Sequence, residues 1–203
     1  MASNISIIND SEFTAGLTKL RNRSLKPSSV RAIVSQLSTI VSKHAVATPH
    51  PPVASDETIA IVVILRSGIA MVEPFVSTLP DDTNMVIYHL GLFRERQTLQ
   101  PIEYYNKLSK RNPSIKRAYI LDPLIATGGT AAAAINIMKN WGIEKITFLS
   151  LVASKPGLEK AAAVWPENVH ILVGAEDAEL DDKGYVKPGL GDIGDRLFGT
   201  IFE

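Results

Sequence analysis

The alternation of apolar, β-branched runs with helical stretches constrains the fold of this chain more than any other feature. The runs lie at 59–65, 85–93, 118–121, 146–153 and 169–173. Helical stretches follow several of them, at 69–77, at 131–141 with Gly142 as a stop, and at 158–165 ahead of Pro166. Strands that are apolar on both faces and alternate with helices are typical of a mostly parallel sheet flanked by helices. We therefore predict an α/β fold.

Two segments before the first run complete this outline. Apolar residues recur at three- and four-residue steps from Val30 to Val41, and Pro27 marks the start of the predicted helix. Residues 47–58, "ATPHPPVASDET", concentrate proline, serine and threonine, which is typical of an exposed connection. Ligands of α/β sheets gather at the carboxyl ends of the strands, so function is sought in the residues that follow the runs.

The composition limits which binding partners and which cellular compartment are expected for the protein. The 203 residues are an ordinary length for a single domain, and the apolar fraction of 45% is enough for a packed core. Lys plus Arg and Asp plus Glu both number 21, so no overall charge favours a nucleic-acid partner. Cysteine is absent, which fits a reducing compartment. With no secretory signal and no apolar run longer than 59–65, we expect no membrane partner and a cytoplasmic location, with the nucleus as a second possibility.

The first strand end carries an arginine. Arg66, Ser67 and Gly68 come directly after the run 59–65. An arginine in this place is either a salt-bridged structural residue or a preorganised contact for an anion. At an arbitrary strand end the structural role is the simpler one, but the two segments described next favour the anion contact.

The stretch "ILDPLIATGGT", residues 120–130, follows another strand. Pro123 biases Asp122 toward extended geometry, so the strand is expected to end there with its carboxylate at the rim. Glycines and threonines at 127–130 supply backbone N–H groups and hydroxyls, and the amino end of the next helix adds partial positive charge. The pattern predicts a phosphate-binding loop, and the alternative is a turn capped by Thr130.

The third segment, "GYVKPGLGDIGDRLFGT", spans residues 184–200. Its glycines and proline predict a tight loop, and interspersed aromatic and aliphatic residues predict that the loop is packed rather than disordered. Such a loop can offer main-chain donors and acceptors to a small planar ligand. The alternative is a carboxyl-terminal segment that packs for stability alone.

These segments together resemble a known family. "ILRSG", "GLFRERQTLQPIEYY", "LDPLIATGGT" and "GYVKPGLGDIGDRLFGT", in this order and over about residues 59–200, are similar to motifs of uracil phosphoribosyltransferases. The resemblance implies a type I phosphoribosyltransferase fold as one domain over residues 1–203, with a small hood from the N-terminal segment and roughly residues 174–203. It implies transfer of the phosphoribosyl group of 5-phosphoribosyl 1-diphosphate (PRPP) to uracil, which gives UMP and pyrophosphate in pyrimidine salvage.

The resemblance also implies roles for individual residues. The implied catalytic residues are Arg66, Arg94, Asp122 and Asp192. The residues implied to bind PRPP are Arg66, Arg94, Asp122, Pro123, Leu124, Ile125, Ala126, Thr127, Gly128, Gly129, Thr130 and Asp192. Those implied to bind uracil, largely through the main chain, are Val186, Gly191, Asp192 and Ile193.

The family also implies Mg2+ and a mobile flap. Magnesium would be held mainly by the substrate diphosphate and water, so we expect no metal-binding residues, and the histidines show no metal-ligand spacing. By the resemblance, the charged stretch 93–101 with Arg94 is a flap that closes over PRPP, where composition alone indicates a solvated loop. A homo-oligomer, dimer or tetramer, is expected.

Two other functions stay open at this point. Arg96, Gln97 and Lys187 stand where bacterial members have an acidic pair and an aliphatic residue, so a catalytically altered paralogue that binds UMP or PRPP as a regulator is the main alternative. An RNA-binding regulator is disfavoured, because the basic segment 107–117, "KLSKRNPSIKR", is simply explained as a solvated linker.

Overall fold

A computed structural model describes residues 4–47, 57–95 and 101–200 of the chain. Its strands are β1 (Ile5–Ile7), β2 (Thr58–Leu65), β3 (Met85–Arg94), β4 (Pro101–Asn106), β5 (Ile115–Leu121), β6 (Leu124–Ile125), β7 (Lys145–Ser154), β8 (Val169–Asp177), β9 (Glu179–Leu180) and β10 (Val186–Lys187). Its α-helices are α1 (Ser11–Leu20), α2 (Pro27–Ala47), α3 (Val72–Val76), α4 (Gly129–Trp141), α5 (Lys155–Ala162) and α6 (Ile193–Phe198), and a 3-10 turn, Ser67–Met71, precedes α3.

Within the described residues, eight strands form one sheet in the order β1-β8-β7-β5-β2-β3-β4, with β6 paired to β7. Every pair in this sheet is parallel except β3 and β4, which are antiparallel. The separate β9 and β10 form a small antiparallel hairpin. The prediction of an α/β fold with a mostly parallel sheet is confirmed.

Helices cover both faces of the sheet. One face packs against α1, α2, α3 and α6, through buried side chains such as Phe13, Leu37, Phe75 and Leu197. The other face packs against α4 and α5, through Ile135, Met138 and Leu158. Because the central strands are apolar on both faces, their carboxyl ends are held on a rigid base.

Most predicted elements are present, with shifted ends. The predicted N-terminal helix begins at Pro27 and runs to Ala47. Strand β5 begins at Ile115, earlier than predicted, so residues 115–117 are not part of a linker. The helix predicted at 158–165 is α5, which begins at Lys155 because the Ser154 hydroxyl accepts a hydrogen bond from the Gly157 N–H at 3.0 Å.

Three other predictions need correction or lie outside the described residues. The stretch predicted as a helix at 69–77 is the 3-10 turn followed by the short α3. Most of the predicted connection, residues 48–56, lies outside the described residues, as do residues 96–100 of the predicted flap. None of the helices in the described ranges is both long and apolar enough to cross a membrane.

The N-terminal helix α1 is tied to the other end of the chain. Arg21, just after α1, forms a bidentate ion pair with buried Asp177 at the end of β8, with N···O distances of 2.7 and 3.0 Å. The Asp177 carboxylate also accepts a hydrogen bond from the Gly189 N–H at 2.9 Å. One buried carboxylate therefore joins α1, the sheet and the glycine-rich loop.

Candidate active site

A pocket of about 270 Å3 opens at the carboxyl ends of β2 and β5, the edge of the sheet where a ligand site is expected. Its walls come from segments that are far apart in the sequence: the turn after β2, the end of β3, the start of α4 and the loop before α6. Of the predicted site residues, those that line it are Arg66, Asp122, Leu124, Ile125, Ala126, Thr127, Gly128, Thr130, Gly191, Asp192 and Ile193. The structure therefore brings the three predicted segments to one cavity.

Four predicted residues are placed differently. Pro123 is buried, and its carbonyl accepts hydrogen bonds from the N–H groups of Leu151 and Val152 at 3.2 Å, so it serves the sheet. Gly129 begins α4 and Val186 is buried in β10, and neither lines the pocket. Arg94 is the last residue of β3, whose preceding residues Leu92 and Phe93 do line the pocket.

The Arg66 guanidinium is held by the carboxyl-terminal helix. It donates hydrogen bonds to Asp195 Oδ1 at 2.7 Å and to Thr200 Oγ1 at 3.0 Å. The guanidinium carbon, Cζ of Arg66, lies 6.0 Å from the centroid of the Phe198 ring. The Arg66 side chain is 51% exposed, so it keeps contact with the pocket while its position is fixed from one side.

Asp122 is a buried carboxyl group at the floor of the pocket. It is 7% exposed, and the Ser67 hydroxyl donates a hydrogen bond to Oδ1 at 3.4 Å. Burial raises the pKa of Asp122 to about 7, and the Leu124 N–H and the Ser67 hydroxyl oppose this rise by favouring the carboxylate. The group thus changes its charge near neutral pH. The sequence predicted this carboxylate at the rim of the strand end, whereas the structure buries it.

The loop from Ala126 to Gly128 leads into the amino end of α4. Gly128 is the N-cap residue in the left-handed conformation, with φ of 74°. A Cβ added to Gly128 would lie 2.5 Å from the Gly157 carbonyl oxygen at the start of α5. The alternative, a turn with Thr130 as the N-cap, is wrong, because Gly128 is the N-cap and Thr130 lies within α4. Gly128 has no side chain to cap the first turn, whose N–H groups are therefore suited to an anion.

Ser154 braces this loop from the neighbouring strand. Its buried hydroxyl donates to the Ala126 carbonyl at 2.6 Å while it accepts from the Gly157 N–H. A Cβ on Gly157 would collide with the same Ala126 carbonyl. The loop and α5 therefore pack backbone to backbone, which both glycines make possible.

The glycine-rich loop before α6 is packed, as predicted. Asp192 caps α6, with Oδ1 accepting from the Asp195 N–H at 3.0 Å, and Gly189 and Gly191 have φ of 55° and 73°. Buried Arg196 donates to the carbonyls of Leu190, Leu20 and Asn22 at 2.7 to 2.8 Å. These bonds fix the loop to the end of α1.

Several residues of the pocket were not predicted from the sequence. Ser67, Tyr185 and Gly184 line it without having been assigned a role. Ser67 is adjacent to Arg66 and carries a hydroxyl, so its position after a strand was a usable signal. Tyr185 lies in the glycine-rich segment, where its aromatic ring was interpreted only as a packing anchor.

The comparisons with known proteins agree on one family. The family model described as uracil phosphoribosyltransferase matches residues 46–200. A relative named putative uracil phosphoribosyltransferase urg2, from Schizosaccharomyces pombe, is 45% identical over 98% of this chain and 91% of its own length. A uracil phosphoribosyltransferase of Roseiflexus castenholzii is 41% identical over 91% of this chain and 92% of its own length. The chain belongs to the uracil phosphoribosyltransferase family.

Solved structures share the fold of this chain. The AQ2163 protein from Aquifex aeolicus superposes with a TM-score of 0.86 at 27% identity, covering 98% of this chain and all of that one. An adenine phosphoribosyltransferase from Trypanosoma brucei has a TM-score of 0.54 at 13% identity, which shows a shared fold alone. This uracil phosphoribosyltransferase family member therefore has the mostly parallel sheet flanked by helices that type I phosphoribosyltransferases share.

Proposed function

We propose that this protein transfers the phosphoribosyl group of PRPP to uracil, giving UMP and pyrophosphate. The observation that supports the proposal is a pocket that unites the cation Arg66, the carboxyl group of Asp122, the amino end of α4 and residues 191–193. These are the groups that a diphosphate, a ribose, a 5-phosphate and a planar base require. The family to which the chain belongs agrees with this reaction.

The 5-phosphate would lie at the start of α4. Thr127, Gly128 and Thr130 line the pocket there, and the N–H groups of the first helical turn have no side-chain cap. Backbone N–H groups, hydroxyls and the helix dipole all favour an anion in this place. A phosphate fixed here would carry its ribose toward Asp122.

The ribose hydroxyls would donate hydrogen bonds to Asp122. Cleavage of the bond to the diphosphate builds positive charge on the anomeric carbon, and a nearby carboxylate stabilises that charge. Burial of Asp122 strengthens this effect and also raises the pKa of Asp122 to about 7. Activity should therefore need the ionised form.

The leaving diphosphate would be held by arginines. Arg66 lines the pocket, and its bonds to Asp195 and Thr200 use two of the five guanidinium N–H donors. Arg94, at the end of β3, is proposed as the second cation. The negative charge that develops on pyrophosphate would thus be met by cations, of which Arg66 is already held in place by Asp195 and Thr200.

Uracil would be recognised by the main chain around Gly191 and Ile193. A planar pyrimidine presents alternating N–H and C=O groups, which backbone groups of a fixed loop can match. Asp192 lies between these residues; its Oδ1 caps α6, and its second oxygen is proposed to contact the donor substrate. Val186, which is buried in β10, would support this loop.

Magnesium would enter with the diphosphate. Among residues 4–47, 57–95 and 101–200, no three His, Asp or Glu side chains are grouped to hold a metal ion. Oxygen ligands from the diphosphate and water suit Mg2+, which when bound neutralises charge on the leaving group. The chain itself contributes the arginines and the carboxyl groups described above.

We also propose the remaining cellular and structural assignments. The N-terminal segment and residues from about 174 onward form the hood, which the contacts of Arg21 and Arg196 support. Pyrimidine salvage in the cytoplasm is the proposed setting. The charged stretch around Arg94 is proposed as a flap over PRPP.

A homo-oligomer is proposed from the edge of the sheet. In β4, every residue after Pro101 is exposed, and Tyr104 and Phe93 are 55% and 47% exposed with ring centroids 5.9 Å apart. An edge strand with exposed aromatic rings favours pairing with a second chain. Sedimentation of wild type beside Tyr104→Lys tests this, with a monomeric wild type as the contradicting result.

The reaction is tested by incubating purified protein with PRPP, Mg2+ and one base at a time. We expect UMP from uracil and at least about 100-fold less nucleotide from hypoxanthine or adenine, because a loop whose backbone matches the N–H and C=O groups of uracil would leave those groups unpaired with another base. Nucleotide formed mainly from another base would overturn the substrate assignment.

A further inference from the structure

We propose that Asp195 is a positioning residue for the diphosphate cation Arg66, and that Asp195 is itself held in place by the loop before α6. This inference rests on the proposed function, because it assigns a partner to a residue of that site. Asp195 does not line the pocket, so it would act through Arg66 rather than on a substrate.

The geometry is a closed triangle of hydrogen bonds. Arg66 donates to Asp195 Oδ1 at 2.7 Å and to Thr200 Oγ1 at 3.0 Å, and the Thr200 hydroxyl donates to the same Asp195 oxygen at 2.6 Å. Each member of the triangle therefore fixes the other two. A guanidinium with two of its donors engaged on one side presents the remaining donors in a fixed direction.

The triangle is anchored to the base loop by the backbone of α6. The Asp195 N–H donates to the Asp192 carboxylate, and the Asp195 carbonyl accepts from the N–H groups of Gly199 and Thr200. Asp192 and Ile193 themselves line the pocket. A single turn of helix therefore places the base-contacting backbone and the holder of Arg66 at a constant separation.

Exposure explains why such a holder matters. The Arg66 side chain is 51% exposed and the Asp195 side chain 31%, so the bond adds little to the stability of the fold. An unheld arginine would lose rotamer freedom each time it bound a diphosphate. Preorganisation of Arg66 by Asp195 removes this cost at the binding step. Loss of the Asp195 bond should therefore lower the affinity for the diphosphate.

The test compares Asp195→Asn and Thr200→Val with wild type. We expect Asp195→Asn to weaken inhibition by pyrophosphate and to raise the KM for PRPP by about fivefold to tenfold, as for one charge-assisted hydrogen bond at a partly exposed site. Thr200→Val should shift both in the same direction by a smaller factor. Affinity for ribose 5-phosphate, which lacks the diphosphate, and the KM for uracil should change less than twofold.

Asp182→Asn is the matched control. Asp182 is an exposed carboxylate in the turn between β9 and β10 and does not line the pocket, so this variant removes the same charge without touching Arg66. We expect its pyrophosphate inhibition to equal that of wild type. A double-mutant cycle with Arg66→Ala completes the design. In the Arg66→Ala background, Asp195→Asn should weaken pyrophosphate inhibition by less than a further twofold.

Several results would overturn the inference. Tighter pyrophosphate binding by Asp195→Asn would mean that Asp195 competes with the diphosphate for Arg66. Equal losses of affinity for ribose 5-phosphate, uracil and pyrophosphate in Asp195→Asn would mean that Asp195 only stabilises α6. Additive effects of Asp195→Asn and Arg66→Ala in the double-mutant cycle would have the same meaning. A wild-type protein that makes no UMP would instead overturn the proposed function, so the two failures are distinguishable.

Discussion

The Ser67 hydroxyl donates a hydrogen bond to Oδ1 of Asp122 at 3.4 Å, at the floor of the pocket. Ser67 begins the 3-10 turn after β2, whereas Asp122 follows β5, so the two strand ends meet through these side chains. Burial raises the pKa of Asp122 to about 7, and this contact opposes the rise. The charge of the pocket floor is therefore set by tertiary structure, and it should govern both stability and activity.

Asp122→Asn should stabilise the protein and abolish most of its activity. The pKa of this carboxyl is 3.8 in an unfolded chain and rises to about 7 on folding. The native state therefore binds more protons than the unfolded state between these two pH values, and wild-type stability falls as the pH rises through them. At pH 8 the variant should be more stable by up to about 4 kcal/mol. At pH 4 the difference should be small.

Urea unfolding of both proteins at several pH values measures this difference, and Asp82→Asn in an exposed turn serves as control. A variant that is less stable than wild type at pH 8 would show that the Asp122 carboxylate is structural. Turnover should fall by about 100-fold or more, since charge stabilisation at the ribose is lost.

Ser67→Ala should move the pH profile of kcat/KM. The hydroxyl favours the carboxylate, so its removal should raise the apparent pKa of the acidic limb by about 0.5. Activity at pH 6 should fall more than activity at pH 9. A uniform loss at all pH values would argue that Ser67 acts on substrate binding instead.

Gly128→Ala should disrupt the phosphate site. The residue has φ of 74°, and the added Cβ would lie 2.5 Å from the Gly157 carbonyl oxygen, so the loop must move. We expect a loss of about 1–2 kcal/mol in unfolding free energy, and a rise in the KM for PRPP of at least about tenfold. Gly142→Ala, at the end of α4 with φ of 97°, should lose stability while the KM stays unchanged. Unchanged PRPP kinetics in Gly128→Ala would contradict the placement of the phosphate at this loop.

Ser154→Ala should destabilise the loop from Ala126 to Gly128, because it removes the hydrogen bond that holds this loop to β7. The Ala126 carbonyl and the Gly157 N–H both lose their partner, so we expect about 1–3 kcal/mol of destabilisation. The KM for PRPP should rise severalfold while the KM for uracil is unchanged. Ser150→Ala is a matched control, because Ser150 is also buried in β7 and bonds only to the Val152 carbonyl in the described contacts. Equal kinetic effects in both variants would contradict a specific role for Ser154.

The sequence was sufficient for the elements with a long periodic pattern. Helix α2 and the runs that became β2, β3 and β7 were predicted because burial on both faces leaves continuous apolar stretches. Strands β1 and β6 are too short for any period, and they exist because β8 and β7 offer them partners. Helix α1 was not predicted, although Phe13, Leu17 and Leu20 have the spacing of a buried helix face.

The sequence predicted which three segments form the site, but not the contacts between their side chains. Strand-end rules indicated Arg66 and Asp122, while motif similarity added residues 191–193. The partners of Arg66 are 129 and 134 residues away, at Asp195 and Thr200, and no local pattern indicates such a pair. The same holds for the pKa of Asp122, which depends on how deeply folding buries it.

The proposed reaction is tested most directly by product analysis on wild type and Asp122→Asn. Purified protein is mixed with uracil, PRPP and Mg2+, and UMP and pyrophosphate are quantified by mass spectrometry over time. We predict that wild type forms both products in equal amounts, and that the variant, though folded, forms at least about 100-fold less. A wild-type protein that binds UMP or PRPP but forms neither product would contradict the enzyme assignment and would instead indicate a regulatory binding protein.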